Sequence, residues 1–199
     1  MSKILFVVGE PGVGKSTLMA ETFGHLERAA VDHRAAGGPM RELLWNGPDL
    51  VGCELGRRMA TSGRTVFPGT DAMSQTAIVG VDEWLRAGAD DLGFVALEGT
   101  RLANKRFVTA ALAGGHTLWL FYLYGPEVAR ERRGARGYHQ DERWVKGRRT
   151  AAANFYQLCD RLRNTEPEIS THVLPAHRPL EDTAQYLLAM AGLSTPVSR

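Results

Sequence analysis

The sequence predicts an α/β fold in which helices cover both faces of a mostly parallel, five-stranded sheet that carries an inserted β-hairpin. Two observations lead to this prediction. Short apolar runs typical of buried strands alternate with segments of helical periodicity, and a glycine-rich turn joins the first strand directly to the first helix. The 199 residues suffice for one compact domain, which we expect over residues 1–194 with 195–199 as a tail.

The predicted elements follow from the order of these patterns. The run at residues 4–8 predicts the first strand, and the apolar spacing over 16–28 predicts the helix after it. Within residues 39–70 two apolar runs flank Asn46-Gly47-Pro48-Asp49, a turn sequence that predicts the inserted hairpin. Further strands are predicted at 94–97, 116–124 and 171–174, and further helices at 74–87, 104–113, 127–133, 141–163 and 180–191.

Composition excludes several classes of protein. Hydrophobic residues make up 44% and charged residues 23%, which is ordinary for a globular domain and unlike a disordered or fibrous chain. The two cysteines form no paired motif, so neither a disulfide framework nor a zinc site is expected, and a reducing cytoplasm is the simplest location. The first apolar run is too short for a signal peptide or a membrane span.

The turn after the first strand, Gly9-Glu10-Pro11-Gly12-Val13-Gly14-Lys15-Ser16, has the spacing G-x-x-x-x-G-K-S, and we call residues 9–16 the phosphate loop. Glycines let successive backbone N–H groups point at phosphate oxygens, the lysine reaches the β- and γ-phosphates, and the serine hydroxyl is a Mg²⁺ ligand. The residues expected to contact ATP are Gly9, Pro11, Gly12, Val13, Gly14, Lys15, Ser16 and Thr17.

This loop resembles the Walker A motif of P-loop NTPases, and the resemblance implies their three-layer sandwich fold and a site for Mg·ATP. A GTPase is disfavoured, because Asn104-Lys105 is followed by Arg106 and Phe107 rather than by the carboxylate that reads guanine. The chain also lacks the length of a motor or transporter ATPase. A kinase of nucleotides or related hydroxyl acceptors fits best.

A kinase of this kind needs cations around the transferring phosphoryl group, and residues 130–149 are rich in arginine. We expect this basic segment to be a lid in which Arg132 and Arg136 act with Lys15 in catalysis and Arg133 binds ATP. The alternative is an ordinary solvated helical face. Glu98 ends a predicted strand, where it could hold Mg²⁺ together with Ser16 or be a plain strand-end carboxylate.

The acceptor side is predicted around Gly69-Thr70-Asp71, which should lie near the carboxyl ends of the strands. Asp71 could accept a proton from an attacking hydroxyl, although a helix cap is an equal alternative. Asp32 and Glu98 are further candidates for the base. The sequence leaves this choice open, together with the preference for ATP or GTP and the oligomeric state.

Four segments, 55–58, 67–74, 98–104 and 144–148, are similar to phage-type P-loop kinases, which include the DNA kinases that phosphorylate 5-hydroxymethyluracil. The resemblance implies a modified pyrimidine in DNA as acceptor, contacts from Arg57, Arg58, Thr70 and Arg101, and a location in the host cytoplasm if a phage encodes the chain. An extruded base could stack on Trp45, Phe67, Arg57 or Arg58, for which ordinary packing and solubility are the alternative.

Two alternatives stay open. A net charge of +2 is mild for a DNA-binding enzyme, so a free nucleotide or nucleoside is a competing acceptor. A DNA-associated ATPase that transfers phosphate to no acceptor other than water is the alternative from another class of protein.

Overall fold

The computed structural model describes residues 1–31, 38–56, 59–61, 64–66, 70, 80–135 and 141–194, with the backbone alone for 59–61 and 64–66. Its central sheet has seven strands in the order β2-β3-β4-β7-β1-β8-β9. These strands are β1 (Lys3–Gly9), β2 (Glu27–Ala30), β3 (Arg41–Asn46), β4 (Asp49–Leu55), β7 (Phe94–Glu98), β8 (Thr117–Tyr124) and β9 (Ile169–Pro175). A separate two-stranded sheet pairs β5 (Met59–Thr61) with β6 (Arg64–Val66).

Strands β4, β7, β1, β8 and β9 pair in parallel, whereas β3 and β2 extend one side of the sheet through antiparallel pairing, β3 with β4 and β2 with β3. The five parallel strands therefore end at a common edge, which we call the carboxyl edge. Open α/β sheets bind ligands outside this edge. The α/β class is confirmed, and the sheet has seven strands rather than the predicted five.

Helices lie on both faces of the sheet. The elements are α1 (Lys15–Phe23), α2 (Val81–Arg86), α3 (Lys105–Ala113), α4 (Pro126–Ala135), α5 (Glu142–Leu162) and α6 (Leu180–Ala191). One buried cluster joins the sheet to α2, α3 and α5, and a second joins its other face to α1, α4 and α6. Alternate residues of β1 enter the two clusters, with Phe6 in the first and Val7 in the second, as expected of a strand covered on both faces.

The predicted hairpin exists, but it is part of the sheet rather than an insertion. Strand β4 pairs in parallel with β7, with Gly52 opposite Phe94. A Cβ at Gly52 would lie 2.6 Å from the backbone oxygen and from the ring of Phe94, so this close approach requires glycine. The hairpin turn lies at the edge opposite the carboxyl edge, because β4 runs from the turn towards the carboxyl edge.

The predicted helix over 16–28 is wrong at its C-terminal end, since α1 ends at Phe23 and residues 27–30 form β2. Arg28 explains the change. Its guanidinium lies 3.1 Å from the Glu42 carboxylate and 2.8 Å from the Glu54 carboxylate, which are largely buried side chains of β3 and β4. These long-range ion pairs hold the segment against β3 and override its helical spacing.

The other helices match the predictions closely, with one exception. Helix α2 begins only after Gly80, whose φ of +86° interrupts any continuous helix from residue 74. Residues 71–79, which include the rest of that predicted helix, and the predicted tail 195–199 lie outside the described residues. Within the described ranges, the helices are too short or too polar to cross a lipid bilayer.

Candidate active site

The phosphate loop leaves β1 at the carboxyl edge and leads into α1. Gly12 and Gly14 have φ angles of +87° and +111°, a region that favours glycine. The Lys15 ammonium group donates hydrogen bonds to the backbone oxygens of Gly9 and Glu10, both at 3.2 Å. The lysine thus lies over the loop, and the N-terminus of α1 adds a partial positive charge that favours anions.

Helix α4 lies against the loop through two arginines. Arg132 Nη1 donates to the Val13 backbone oxygen at 2.8 Å, and Arg133 Nη1 donates to the Pro11 backbone oxygen. Arg133 also lies 3.5 Å from the Glu10 carboxylate, whose side chain is only 5% exposed. These contacts attach the N-terminal half of the predicted lid directly to the loop.

The contacts also explain why two loop positions must be glycine. A Cβ on Gly12 would lie 2.7 Å from Arg133 Cγ and 2.9 Å from the Ala129 backbone oxygen, and one on Gly14 would lie 2.4 Å from Arg132 Nη1. Gly134, within the predicted lid, lies inside α4.

One side of the loop opens into a cavity of about 150 Å³, which we call the front cavity. Its lining comes from the phosphate loop, the end of β7 and the first turns of α5: Gly9, Pro11, Lys15, Ser16, Glu98, Gly99, Trp144 and Arg148. Glu98 is the last residue of β7 and pairs with Val7 of β1, so the parallel sheet positions its side chain beside the phosphate loop. The cavity therefore combines the loop lysine, a hydroxyl, a buried carboxylate and a guanidinium.

Arg148 is the cation that α5 contributes to the front cavity. Its Nη1 donates to the Thr100 hydroxyl at 2.9 Å, which connects α5 to the segment after β7. Ser16 and Glu98 offer oxygen atoms, the ligand type that Mg²⁺ prefers. The front cavity can therefore hold a phosphate group between cations and position a metal ion beside it.

A smaller cavity of about 60 Å³, the rear cavity, lies on the other side of the loop. It is lined by residues of the loop, α1, α4, α6 and the segment after β9: Val13, Gly14, Thr17, Leu18, Leu123, Arg132, Pro175, Ala176, Arg178, Leu180 and Thr183. Apolar walls with guanidinium groups suit a planar heterocycle, which stacks on apolar and guanidinium surfaces.

The aromatic side chains beside the loop include one tyrosine with a shifted pKa. Burial first, and then the negative charge of Glu10, raise the pKa of Tyr122, while Arg149 opposes the shift. Tyr122 stacks on Tyr156 of α5 with ring centres 5.2 Å apart. The phenol therefore stays neutral near pH 7 and packs α5 against β8.

The structure describes some of the residues predicted for the acceptor side. Thr70 is fully buried, and its hydroxyl donates to the Glu98 backbone oxygen, while Arg101 follows β7 at the carboxyl edge. Several predicted residues lie outside the described ranges and stay predictions: Asp32, Arg57, Arg58, Phe67, Asp71 and Arg136.

Sequence reasoning placed one aromatic residue wrongly and missed another. Trp45 lies beside the hairpin turn, at the edge opposite the phosphate loop, so it cannot stack a base at this site. Trp144 lines the front cavity but was not singled out. The spacing of Trp144 and Arg148, four residues apart in a predicted helix, was the available signal, because such pairs share a helix face.

A phosphate loop between a parallel strand and a helix, with basic residues of α4 and α5 around it, defines a kinase-like P-loop NTPase. The chain belongs to the family described as P-loop Nucleotide Kinase3, whose profile matches residues 1–178. No match to a curated protein was found. Ten solved chains match, among them a gluconokinase from Sinorhizobium meliloti 1021, with 16% identity over 96% of this chain and 91% of that one, at a TM-score of 0.44.

Proposed function

We propose that this protein is a Mg·ATP-dependent kinase that transfers the γ-phosphoryl group to a hydroxyl on a nucleobase, namely the 5-hydroxymethyl group of 5-hydroxymethyluracil in DNA. The observation that carries the phosphotransfer is the front cavity, where Lys15, Ser16, Glu98 and Arg148 converge. The choice of acceptor rests on the resemblance of segments 55–58, 67–74, 98–104 and 144–148 to the DNA kinases. We expect the protein to act in the cytoplasm, and in that of the host if a phage encodes it.

The residues around the loop fit ATP and Mg²⁺. Glycine at positions 12 and 14 permits the positive-φ backbone of a phosphate-binding loop and lets α4 pack against it, since side chains there would collide with α4 or its arginines. Lys15 would exchange the two loop carbonyls for the β- and γ-phosphates, and Ser16 and Glu98 would hold Mg²⁺ directly or through water. When bound, Mg²⁺ neutralises charge on those phosphates.

The adenine of ATP is assigned to the rear cavity. Its lining includes Arg132 of α4 together with Ala176 and Arg178, which follow β9. The loop after the last strand of a nucleotide kinase touches the base, which agrees with the position of Ala176 and Arg178 after β9.

In the transfer, the acceptor oxygen forms a bond to the γ-phosphorus while the bond from that phosphorus to the β,γ-bridging oxygen breaks. ADP leaves, and the acceptor proton passes to a carboxylate, for which we propose Asp71, with Asp32 and Glu98 as alternatives. Arg148 is already anchored on Thr100, so its charge is preorganised for the spreading negative charge of the transition state. We propose that Arg136 adds charge from the lid, whereas Arg132, predicted as its catalytic companion, lines the rear cavity and bonds to the Val13 backbone oxygen.

Labelled ATP tests this proposal. ATP labelled at the γ-phosphate is incubated separately with 5-hydroxymethyluracil DNA, with ordinary DNA and with free nucleotides. We expect label on the modified DNA alone. Label on free nucleotides alone would make the protein a nucleotide kinase, and DNA-stimulated release of free phosphate without a labelled acceptor would make it a DNA-associated ATPase.

Two variants control this assay. Lys15→Ala removes the loop cation and should abolish transfer. Arg161→Ala removes an exposed cation from the last turn of α5 and should leave transfer unchanged. Because the net charge is only +2, DNA binding would depend on a local basic surface, and labelling of DNA should weaken steeply as salt rises.

A further inference from the structure

We infer that Trp144 is the platform on which the acceptor base stacks during phosphorylation, so that the front cavity holds a pyrimidine base beside the phosphate loop. This inference rests on the proposed function and adds a specificity-determining residue to it. The ligand chemistry is a planar base with an exocyclic hydroxyl, presented either within DNA or as a free nucleoside or nucleotide.

The position of Trp144 sets it apart from the other three tryptophans of the chain. Trp84 is 7% exposed in the core, Trp119 stacks on His172, and Trp45 lies at the far edge of the sheet. Trp144 is 42% exposed and lines the front cavity together with Lys15 and Ser16. Trp144 is therefore the tryptophan whose indole is available to a ligand beside the phosphate loop.

The indole is held in place from one side. The guanidinium carbon of Arg148 lies 5.6 Å from the centre of the Trp144 ring, a cation–π contact along the same face of α5. Arg148 is itself bonded to the Thr100 hydroxyl at 2.9 Å. The ring orientation is therefore connected to the segment after β7, and the exposed part of the ring remains open to a ligand.

The arrangement couples base binding to phosphotransfer. A base lying on Trp144 shares the front cavity with the phosphoryl group at Lys15 and Ser16, so its exocyclic hydroxyl is the group presented for attack. Stacking accepts any base, because every base has a π face. Selectivity for a hydroxymethyl group then comes from the reaction itself, since a base without that hydroxyl can stack but cannot receive phosphate.

Steady-state kinetics with Trp144→Ala and Trp144→Phe test the inference, with acceptor and ATP varied separately. Alanine should raise KM for the acceptor roughly 5- to 150-fold, the range for loss of one stacked base, while KM for ATP stays unchanged. Phenylalanine retains an aromatic face and should recover most of the affinity. An unchanged acceptor KM in Trp144→Ala, or an equal rise in both KM values, would overturn the inference.

A binding measurement separates this inference from the proposed reaction. Tryptophan fluorescence is titrated, without ATP, with 5-hydroxymethyluracil DNA and with the free nucleoside of that base. Quenching should disappear in Trp144→Phe and persist in the control Trp119→Phe, and the ligand that quenches identifies the source of the base. Quenching that survives in Trp144→Phe would overturn the inference.

The two ideas can fail independently. Quenching through Trp144 without transfer of phosphate to any acceptor would refute the proposed reaction and support the stacking site. Phosphate transfer with the same acceptor KM in Trp144→Ala as in the wild type would support the proposed reaction and refute the stacking site.

Discussion

Replacing Arg133 by methionine tests whether the ion pair between Arg133 and Glu10 holds α4 against the phosphate loop. The Arg133 side chain is 20% exposed and lies 3.5 Å from the Glu10 carboxylate, which is 5% exposed. Methionine keeps much of the aliphatic packing of arginine but removes the charge and the hydrogen bond to Pro11. The variant therefore leaves a carboxylate buried beside the loop without its cation.

The expected cost follows from this geometry. Breaking a fully buried ion pair costs about 3–5 kcal/mol, because one charge stays buried and unpaired. The contact between Arg133 and Glu10 is long and Arg133 is partly exposed, so we expect about 2–3 kcal/mol. For a chain of this size each kcal/mol lowers the melting temperature by about 2–4 °C, which gives a fall of about 4–12 °C.

Calorimetry or urea unfolding of the wild type, Arg133→Met, Glu10→Gln and the variant with both substitutions measures this coupling. Glu10→Gln removes the carboxylate charge, so the double variant should recover most of the stability that Arg133→Met loses, with an interaction energy of at least about 1 kcal/mol. Arg161→Met, an exposed position on α5, is the matched control. A melting temperature for Arg133→Met equal to that of the control, or additive effects in the double variant, would refute the attachment.

Three further predictions follow from the same structure. Gly12→Ala should lower the affinity for a fluorescent ATP analogue at least about tenfold, because a Cβ at a φ of +87° is strained and would collide with α4. Gly147→Ala is the control, since its Cβ would lie in open space on α5 and binding should be normal. Burial raises the pKa of Cys159 to about 12. The free energy of unfolding should therefore fall above about pH 9, by up to about 1.4 kcal/mol per pH unit. Urea unfolding at a series of pH values should show a shallower fall in Cys159→Ala. Arg28→Ala removes the cation between two buried carboxylates of β3 and β4 and should lower the free energy of unfolding, measured in urea, by about 3–5 kcal/mol. Replacing either glutamate by glutamine in that variant should reduce the loss.

The sign of the cysteine effect is fixed by linkage. In the unfolded chain the thiol ionises near its ordinary pKa of about 8.5, while in the folded chain it keeps its proton. The folded state therefore binds more protons above that pH, and stability that is present below it is lost as the pH rises towards 12. A slope identical in the wild type and in Cys159→Ala would contradict the burial of this thiol.

Local patterns were sufficient to predict the centre of the fold. The phosphate loop is a run of fixed residues between a strand and a helix, and the helix over 104–113 begins at Asn104, whose side chain accepts from the Phe107 N–H, and ends at Gly114. Such features are determined by neighbours in the chain, so the sequence carries them directly.

Contacts between distant residues account for the errors. The segment 27–30 has helical spacing but is a strand, because Arg28 pairs with carboxylates that lie 14 and 26 residues further along the chain. The hairpin joins the central sheet because the backbone of Gly52 can approach Phe94 closely. Trp144 and Lys15 line the same cavity because of the way α5 packs over the sheet. None of these distances is encoded in a local pattern.

The most direct test of the account is a mass analysis of nucleosides from 5-hydroxymethyluracil DNA after incubation with ATP and Mg²⁺. The account predicts a phosphorylated 5-hydroxymethyl group with the wild-type protein and with Arg161→Ala, and none with Lys15→Ala. Unmodified nucleosides with the wild-type protein, or the same phosphorylated product with Lys15→Ala, would contradict the claim that the phosphate loop transfers phosphate to this base.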